Sequence, residues 1–326
     1  MKSRILVTGG AGFIGSHYVR TLLGPRGDPD VSVTVLDKLT YAGNPANLEP
    51  VRADPRFSFV HGDICDSRLA AELADRHDQI VHFAAESHVD RSIDGAAAFI
   101  STNVGGTQTL LDAALHARRP PVFVHVSTDE VYGSIDVGSW PETDPLSPNS
   151  PYSAAKAGSD LVALAYHRTH GLDVRVTRCS NNYGPYQFPE KVIPLFVTRL
   201  LDGGRVTLYG DGGNVRDWLH VDDHVQGIEL VRTRGGAGEV YNIGGGTELT
   251  NKELTGLLLD ACGADWSRVD LVEDRKGHDR RYSVDCGKIA RNLGYRPRHE
   301  FGTGLAETVA WYRDHRAWWE PLLRRG

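Results

Sequence analysis

Short apolar runs alternate with longer, helix-compatible segments through the first half of the chain. Six such runs occur, at residues 4–8, 31–36, 57–61, 79–85, 122–128 and 173–179. Runs of this length are typical of strands that are buried on both faces. Because helical patterns rather than hairpin turns separate the runs, the sequence predicts an α/β fold built on a doubly wound, parallel, Rossmann-type sheet.

A glycine-rich turn follows the first predicted strand. Gly9, Gly12 and Gly15 have the spacing GxxGxxG, and a helix-compatible segment runs from residue 16 to residue 23. Glycines permit a tight turn and let the backbone approach a pyrophosphate, while the N-terminus of a helix presents free N–H groups to it. A glycine string alone is weak evidence, but between a strand and a helix it predicts a dinucleotide site.

Acidic side chains follow the second and third predicted strands. Asp37 ends the second strand, where a carboxylate can accept hydrogen bonds from both ribose hydroxyls of an adenosine. It would repel a 2′-phosphate and so favours NAD over NADP, although the neighbouring Lys38 is able to contact a phosphate. The gap from Gly9 to Asp37 exceeds the usual ~20 residues, and we interpret 24–29 as a loop insertion. Asp63 can accept from the adenine amine or cap a helix that begins near residue 67.

The chemistry centres on two stretches. Thr128, Asp129 and Glu130 end the fifth strand, where side chains face the crevice in which open α/β sheets bind ligands. Tyr152 and Lys156 lie four residues apart in a helical pattern that runs to about residue 170, so they share one face. A nearby ammonium favours the phenolate. Tyr152 can then remove a hydroxyl proton while a hydride leaves the same carbon, with Lys156 holding the ribose and Thr128 bonding the hydroxyl.

Asp129 and Glu130 add a second proton-transfer pair. Oxidation to a ketone acidifies the neighbouring C–H, which one carboxylate can deprotonate, while a carboxylic acid protonates a hydroxyl that leaves one carbon further on. This division of roles needs environments that separate the two pKa values. On their own, adjacent acids are more typical of a solvated loop. Their position beside the other reactive groups supports the chemical interpretation.

Several polar loops can meet a substrate. One loop, at 86–92, follows the fourth strand, and another, at 180–191, is rich in amides and aromatic rings. A helical pattern covers 99–118, after the first of these loops. Arg216 follows a turn at 210–214 and either contacts a phosphate in bidentate fashion or pairs with Asp217 at the surface. Arg280 and Arg281, in the loop 277–282, can also reach phosphates. Trp311, Tyr312, Trp318 and Trp319 are expected to pack helices together.

Composition narrows the class of protein. The chain has 326 residues, with 36 basic and 42 acidic residues and a net charge of −6, and the absence of a basic block argues against nucleic acid. No apolar run approaches the ~20 residues of a membrane span, and the first strand begins too early for a signal peptide. The four cysteines form no CxxC pair, so we predict no metal site and expect reduced thiols in the cytoplasm.

These motifs resemble the extended short-chain dehydrogenase/reductases and, within them, the dTDP-glucose 4,6-dehydratase family. The motifs that carry the resemblance are TGGAGFIGS (8–16), AAESHVDRS (84–92), STDEVYG (127–133), YSAAKAGSD (152–160), NNYGPYQFPEK (181–191), RDWLHVDD (216–223) and GHDRRY (277–282). The resemblance implies dehydration of dTDP-glucose to dTDP-4-keto-6-deoxyglucose. It implies that Tyr152 is the base for the 4-hydroxyl, Glu130 the base at carbon 5 and Asp129 the acid for the 6-hydroxyl.

The motifs and the resemblance together define two binding sets. The predicted NAD-binding set is Gly9, Gly12, Phe13, Ile14, Gly15, Asp37, Lys38, Thr40, Asp63, Ile64, Ala84, Ala85, Asn103, Tyr152, Lys156 and Cys179. The predicted substrate-binding set is Ser87, His88, Thr128, Asn181, Glu190, Lys191, Tyr209, Asn214, Arg216 and His278.

The resemblance also implies a domain organisation and an oligomeric state. We predict an NAD-binding domain over 1–179, completed by parts of 217–243, and a smaller, mixed α/β domain over 180–326 that mainly binds the nucleotide sugar. Family members are commonly homodimers, which implies pairing through helices near 104–118 and 153–169. A nucleotide-sugar 4-epimerase, a sugar-nucleotide decarboxylase and a non-catalytic NAD-binding sensor are the alternatives. Thymidine and uridine nucleotides both remain open as substrates.

Overall fold

The computed structural model describes residues 3–25, 27–274 and 277–323. Residue 26, within the loop insertion predicted at 24–29, lies outside the described residues. None of the helices in these ranges is long and apolar enough to cross a membrane. The four cysteines are all free thiols.

Seven strands form one parallel sheet, which confirms the predicted fold class. The strands of the described residues are β1 Ser3–Thr8, β2 Val31–Asp37, β3 Phe57–His61, β4 Gln79–His82, β5 Val122–Thr128, β6 Val174–Cys179, β7 Asn181–Tyr183, β8 Val206–Tyr209, β9 Val215–His220, β10 Val240–Ile243, β11 Glu248–Thr250 and β12 Val269–Val272. The large sheet has the order β10-β6-β5-β4-β1-β2-β3. The direction of winding reverses between β1 and β4, which is where such sheets bind ligands.

Helices cover both faces of this sheet and build a separate layer in the second half of the chain. The helices are α1 Phe13–Leu23, α2 Ser67–Ala74, α3 Val89–Asp94, α4 Ala97–Phe99, α5 Thr107–His116, α6 Pro151–His170, α7 Val192–Leu201, α8 Val221–Arg234, α9 Asn251–Cys262, α10 Gly287–Leu293, α11 Phe301–Asp314 and α12 Arg316–Leu323. Shorter turns of 3₁₀-helix lie at Pro45–Val51, Asp129–Tyr132 and Trp266–Arg268, and a π-helical stretch spans Ile100–Gly106.

Two apolar cores sandwich the sheet and a third lies beside it. Helices α1, α8 and α10 pack on one face, and α2, α5 and α6 pack on the other. The third core joins α7, α9, α11 and α12 to β8 and β9. Trp319 is fully buried in this core and its indole N–H donates to the carbonyl of Tyr312 over 2.7 Å. The prediction that the C-terminal aromatic residues pack helices together is therefore confirmed.

Helix α6 carries Tyr152 and Lys156, and its N-terminus is fixed by local sequence. Ser150 caps the helix in a reciprocal capping box with Ser153, and Pro151 occupies the first turn. These are strong start signals because they satisfy N–H groups that lack partners within the helix. The helix ends at Gly171, whose φ of 74° is left-handed. The sequence therefore places both side chains in the first turns of a rigid helix.

Several local predictions are wrong. Strand β4 ends at His82, so 83–85 leave the sheet, and 89–94 form a short helix that His88 caps by accepting from the N–H of Arg91. Asp66, not Asp63, caps α2 by accepting from two backbone N–H groups. The helix predicted over 99–118 is π-helical between residues 100 and 106.

The amide-rich loop also differs from prediction, because part of it is a strand. The loop contains β7, which pairs in parallel with β9. The predicted strand at 205–209 begins at Val206, and β10 forms at 240–243 as predicted. Strand β10 joins the large sheet beside β6. The domain boundary after residue 179 stays a prediction.

Candidate active site

The glycine turn has a backbone that side chains would disrupt. Gly9 has a φ of 69°, and a Cβ atom added there would lie 2.6 Å from the amide nitrogen of Ala84. A Cβ atom on Gly15 would lie 2.3 Å from the carbonyl oxygen of Gly9. Helix α1 begins at Phe13, and Gly12 before it contributes no capping side chain. This cradle fits the pyrophosphate of a dinucleotide, which needs close backbone approach and exposed N–H groups.

Asp37 is held in place at the end of β2. Its carboxylate accepts from the N–H groups of Ala11 and Leu39, each over 2.8 Å. Burial raises the pKa of Asp37, while these backbone hydrogen bonds lower it. The ammonium of Lys38 forms an ion pair with Asp63 at 2.6 Å. Because this pair engages Lys38 within the chain, the preference for NAD argued from Asp37 is strengthened.

A single cleft of about 350 Å³ runs from the glycine turn to the ends of β4 and β5. The predicted cofactor residues that line it are Gly9, Gly12, Phe13, Ile14, Gly15, Asp37, Lys38, Thr40, Asp63, Ile64, Ala84, Ala85, Tyr152, Lys156 and Cys179. Asn103 is the exception. Its side chain instead donates to the carbonyl of Glu86 and accepts from the N–H of Glu86, over 3.0 and 2.8 Å. Asn103 therefore fixes the loop after β4.

Tyr152 lies buried in the cleft beside Thr128. Burial, followed by the charge of Glu130, raises its pKa well above the usual value, and a hydrogen bond with Thr128 acts in the opposite direction. Lys156 donates to the carbonyl of Val126 over 2.9 Å. Burial lowers the pKa of Lys156. The prediction that Lys156 makes the phenolate favourable is not met in this structure, because burial and carboxylates outweigh it.

The two adjacent acids occupy the same cleft with Tyr152. Asp129 is only 2% exposed, and burial, followed by the charges of Glu130 and Asp217, raises its pKa well above the usual value. The hydroxyl of Thr128 donates to Asp129 over 3.3 Å and accepts from the N–H of Glu130 over 3.3 Å. A buried carboxyl group that keeps its proton is suited to act as a general acid.

The segment before α7 contributes some of the predicted substrate residues to the cleft. Ser87, Thr128, Asn181, Glu190 and Lys191 line the cleft. Lys191 donates to the carbonyl of Ser87 over 2.9 Å. Burial raises the pKa of Glu190, which Lys191 and Arg91 oppose. His88 lies outside the lining, with its Nε2 atom 3.6 Å from Glu190.

Arg216 and Asn214 lie outside the lining of the cleft, although the charge of Arg216 acts on Asp129 and lowers its pKa. Both donate to the carbonyl of Asp279, over 3.0 and 3.2 Å. The Arg216 guanidinium lies 4.3 Å from the centre of the Tyr282 ring. Arg216 is 6% exposed, so it is not a surface arginine. Asp217 instead accepts from the N–H groups at 245 and 247.

Four other predicted residues lie away from the cleft. Tyr209 is 42% exposed at the end of β8, and His278 lies 2.6 Å from Asp274. Arg280 forms an ion pair with Asp211 at 2.9 Å, and Arg281 forms one with Glu248 at 2.7 Å. The expectation that these two arginines reach phosphates is not supported, because both guanidinium groups are held by carboxylates.

Sequence reasoning missed other residues that face the cleft. They are Leu36, Ala42, Gly43, Gly62, Phe83, Thr102, Val126, Ser127, Val192, Ile193 and Trp218. The predicted substrate loops 86–92 and 180–191 also contribute Glu86, Ser180, Asn182, Gln187 and Phe188 to the lining. Gly43 packs against the Asp37 carboxylate, since a Cβ atom there would lie 2.9 Å from it. A glycine shortly after the acidic residue that ends β2 was the one available signal. Trp218 reaches the cleft because β9 pairs with β7, and no local sequence pattern predicts this pairing.

Comparison with known proteins agrees with this geometry. A model of the family described as GDP-mannose 4,6 dehydratase matches residues 6–308. A dTDP-glucose 4,6-dehydratase from Streptomyces griseus is 67% identical over 326 residues, covering 100% of this chain and 99% of the relative. The crystal structure of DesIV, a dTDP-glucose 4,6-dehydratase from Streptomyces venezuelae with NAD and TYD bound, has a TM-score of 0.95 and 69% identity, covering 98% of this chain and 99% of that one.

A related epimerase is more distant. The UDP-glucose 4-epimerase of Thermotoga maritima, solved with UDP-glucose, has a TM-score of 0.87 and 34% identity, covering 95% of this chain and 99% of that one. The identity of this chain to DesIV is thus about twice its identity to this epimerase. The chain belongs to the dTDP-glucose 4,6-dehydratase family of the extended short-chain dehydrogenase/reductases.

Proposed function

We propose that this protein converts dTDP-glucose to dTDP-4-keto-6-deoxyglucose, using an NAD that is regenerated in each turnover. The observation that carries the proposal is the buried pair of acids beside Tyr152. Asp129 has a raised pKa and Glu130 is its immediate neighbour in the cleft. Water elimination next to a ketone requires an acid that holds a proton and, beside it, a second carboxyl group that acts as the base.

The residues of the chain divide the proton transfers among them. The glycine turn and Asp37 would hold NAD, which would supply the site for hydride removed from carbon 4 and later returned to carbon 6. Tyr152 takes the proton of the 4-hydroxyl, with Thr128 orienting that hydroxyl. Glu130 removes the proton at carbon 5, and Asp129 protonates the 6-hydroxyl as it leaves as water. Over one cycle the proton taken at Tyr152 balances the one lost from Asp129, and a new proton arrives at carbon 5.

The three alternative functions would leave some of these residues without a role. A 4-epimerase oxidises carbon 4 but needs neither a base at carbon 5 nor an acid at carbon 6. A decarboxylase needs a recognition site for a carboxylate at carbon 6, and a sensor needs none of Thr128, Tyr152 and Lys156. The identities of 67% and 69% to dehydratases also favour dehydration.

The test is to incubate the purified protein with dTDP-glucose in deuterated water, without added NAD. Loss of water together with one deuterium at carbon 5 is the expected result, because carbon 5 exchanges its proton with solvent. A product of unchanged mass and galactose configuration would mean an epimerase. Turnover of UDP-glucose alone would keep the mechanism and change the nucleotide. Retention of NAD with no turnover of any nucleotide sugar would support the sensor.

We also propose a homodimer and a cytoplasmic location. Leu161 on α6 is 55% exposed and Ile100, before α5, is 50% exposed, as expected for a surface that a second copy covers. Four free thiols support a reducing compartment. Replacing Leu161 with Glu should shift the protein towards monomer in light scattering, whereas Leu257→Glu, at another exposed leucine, should not.

The individual binding roles remain part of the proposal. Asp37 would hold the adenosine ribose, Lys156 the nicotinamide ribose, and Asn181 the substrate pyrophosphate. The position of Asp37 and Asn181 in the cleft lining supports this assignment. Arg216 would reach the same pyrophosphate after its guanidinium leaves the carbonyl of Asp279. His278 and Tyr209 would lie nearer the nucleotide than the sugar.

A further inference from the structure

Three imidazoles surround one carboxylate at the start of α8. His17 on α1 contacts Oδ1 of Asp222 through its Nε2 atom. Oδ2 of Asp222 lies 3.4 Å from Nε2 of His299 and 3.7 Å from Nδ1 of His220. These side chains come from α1, from the end of β9 and from the segment before α11, and the proposed dehydration uses none of them.

We propose that His220, Asp222 and His299 bind one divalent transition-metal ion of the zinc class. Their donor atoms all lie within 4.8 Å of one another. Bonds of ~2.0–2.1 Å in a tetrahedral site separate neighbouring ligand atoms by ~3.3–3.4 Å. The separations of 3.4 and 3.7 Å are therefore close to those of a formed site. Two imidazoles and one carboxylate are a ligand set that suits Zn²⁺, whereas Mg²⁺ and Ca²⁺ prefer oxygen.

One outer group, the carboxylate of Asp223, is placed to orient His299. Nδ1 of His299 lies 3.0 Å from Oδ1 of Asp223, and Oδ2 of Asp223 accepts from the backbone N–H of His299 over 3.0 Å. Asp223 is only 2% exposed. A histidine that binds a metal through one nitrogen usually donates its other N–H to a carboxylate, which fixes the ring and raises its basicity. Nδ1 of His299 is buried and makes no hydrogen bond among the described residues, and a tilt of the ring would let its N–H donate to Oδ1 of Asp223, 3.0 Å away.

The tautomer of His17 leaves one oxygen of Asp222 available. Arg20 donates to Nδ1 of His17 over 3.2 Å, so Nε2 carries the proton and donates to Oδ1 of Asp222. Oδ2 then faces His220 and His299. The Asp222 side chain is 46% exposed, which leaves room for water as the fourth ligand. The buried side of Asp222 is thus held by His17, and its other side is open to solvent.

Two adjustments accompany metal binding. Nδ1 of His220 accepts from the backbone N–H of Asp222 over 3.2 Å, and the metal would replace this long hydrogen bond. The His220 and His299 rings are stacked, with centres 4.1 Å apart and planes at 22°. His299 must therefore tilt to direct its lone pair, and its side chain is 29% exposed, so it has space to move. We expect weaker binding than in closed sites with four protein ligands.

No metal site was predicted from the sequence because the cysteines lack the spacing of a metal site. His220 and Asp222 lie two residues apart in the motif RDWLHVDD, but His299 is distant in sequence. A bound ion would join the start of α8 to the segment before α11. Through His17 the same cluster contacts α1, the helix that follows the glycine turn. The inferred site would therefore hold α1 close to α8 and to the segment before α11.

The test uses the full-length, untagged protein after treatment with a chelator that is then removed. Zn²⁺ binding is measured by calorimetry, and Co²⁺ serves as a spectroscopic probe whose visible absorption reports tetrahedral coordination. His299→Ala and Asp222→Asn are the test variants. His315→Ala, at an exposed histidine at the far end of α11, is the matched control. Circular dichroism and NAD content establish that each variant is folded.

We expect one Zn²⁺ per chain, at least tenfold weaker binding in both test variants, and unchanged binding in the control. Zn²⁺ should raise the melting temperature of the wild-type protein and of His315→Ala, but not that of folded His299→Ala. No saturable binding by the wild type, or equal binding by the wild type and the folded test variants, would overturn the proposal. Neither result would affect the proposed dehydration, since these residues do not line the cleft.

Discussion

Lys156 donates a hydrogen bond to the carbonyl of Val126 over 2.9 Å, so the second turn of α6 is tied to the strand that carries Thr128. The bond links the two stretches of sequence that hold the reactive groups. It fixes the distance between Tyr152 and the adjacent acids through a buried, charge-assisted contact. Proton transfer in several steps depends on such positioning, because small displacements of a reactive group lower rates strongly.

Replacing Glu130 with Gln should stop dehydration while leaving oxidation at carbon 4 detectable. The amide keeps the shape of the side chain but cannot remove the carbon-5 proton. We expect turnover to fall by about 10²–10⁴-fold. Rapid-mixing absorbance of NADH should still show the first hydride transfer. Normal release of the 4-keto-6-deoxy sugar would remove Glu130 from this role, and the exposed Glu72→Gln is the matched control.

Replacing Tyr152 with Phe should slow the first oxidation itself. The ring and its burial remain, but the group that accepts the 4-hydroxyl proton is lost. We expect a decrease of about 10²–10⁴-fold in the single-turnover rate of NADH formation. Tyr166→Phe, on the same helix but outside the cleft lining, should retain the wild-type rate. An unchanged rate in Tyr152→Phe would exclude it as the base.

Replacing Asp129 with Asn should abolish dehydration and stabilise the protein at neutral pH. Burial raises the folded-state pKa of Asp129 above that of the unfolded chain. The folded protein therefore holds a proton that the unfolded chain releases above about pH 4, so this residue lowers stability as pH rises towards the folded pKa. Thermal melts should show Asp129→Asn more stable by about 0.5–2 kcal/mol at pH 7.

The pH dependence provides the check on this assignment. The stability difference between wild type and Asp129→Asn should shrink as pH falls towards 4, because both chains then carry a neutral group at this position. The wild-type dehydration rate should fall as pH rises through the folded pKa of Asp129. A difference in stability that is independent of pH would show that Asp129 is ionised in the folded protein.

Replacing Gly15 with Ala should weaken NAD binding. The added Cβ atom would meet the carbonyl oxygen of Gly9 at 2.3 Å, so the turn must open. Overpacking of this kind costs about 1–3 kcal/mol, which corresponds to a 5- to 150-fold change in a binding constant if it falls on the cofactor-bound form. Equilibrium dialysis with NAD measures it. Gly95→Ala, where no atom lies within 4 Å of the added carbon, should bind NAD normally.

The parts of the fold that were predictable from sequence depend on local signals. The strand, glycine turn and helix around Gly9 follow from short-range sterics, and α6 follows from the capping box at Ser150 and Ser153. The sequence left two roles open for Asp63, because two aspartates lie near the start of α2 and only the contacts show that Asp66 is the cap. Arg216 illustrates the same limit, since its carbonyl partner at Asp279 comes from a distant loop.

The direction in which the pKa of Tyr152 shifts could not be predicted from the sequence either. A lysine four residues after Tyr152 predicts a lowered pKa for the phenol, yet burial and Glu130 raise it. Desolvation depends on how completely neighbouring segments cover the ring, and this depends on the assembled fold. The periodicity that places two side chains on one helix face does not report how far the ammonium is drawn towards Val126.

Strand β10 is the last strand of the large sheet to be synthesised, which affects how the nascent chain folds. Strand β6 pairs with β10 along residues 176–179, so its outer edge is left unpaired until residue 243 has been made. An open edge of this kind can pair with other chains. A fragment that ends at residue 179 should therefore aggregate, whereas one that extends beyond β10 should stay in solution. The nascent protein thus gains its complete nucleotide-binding sheet only after the strands β7 to β9 have left the ribosome.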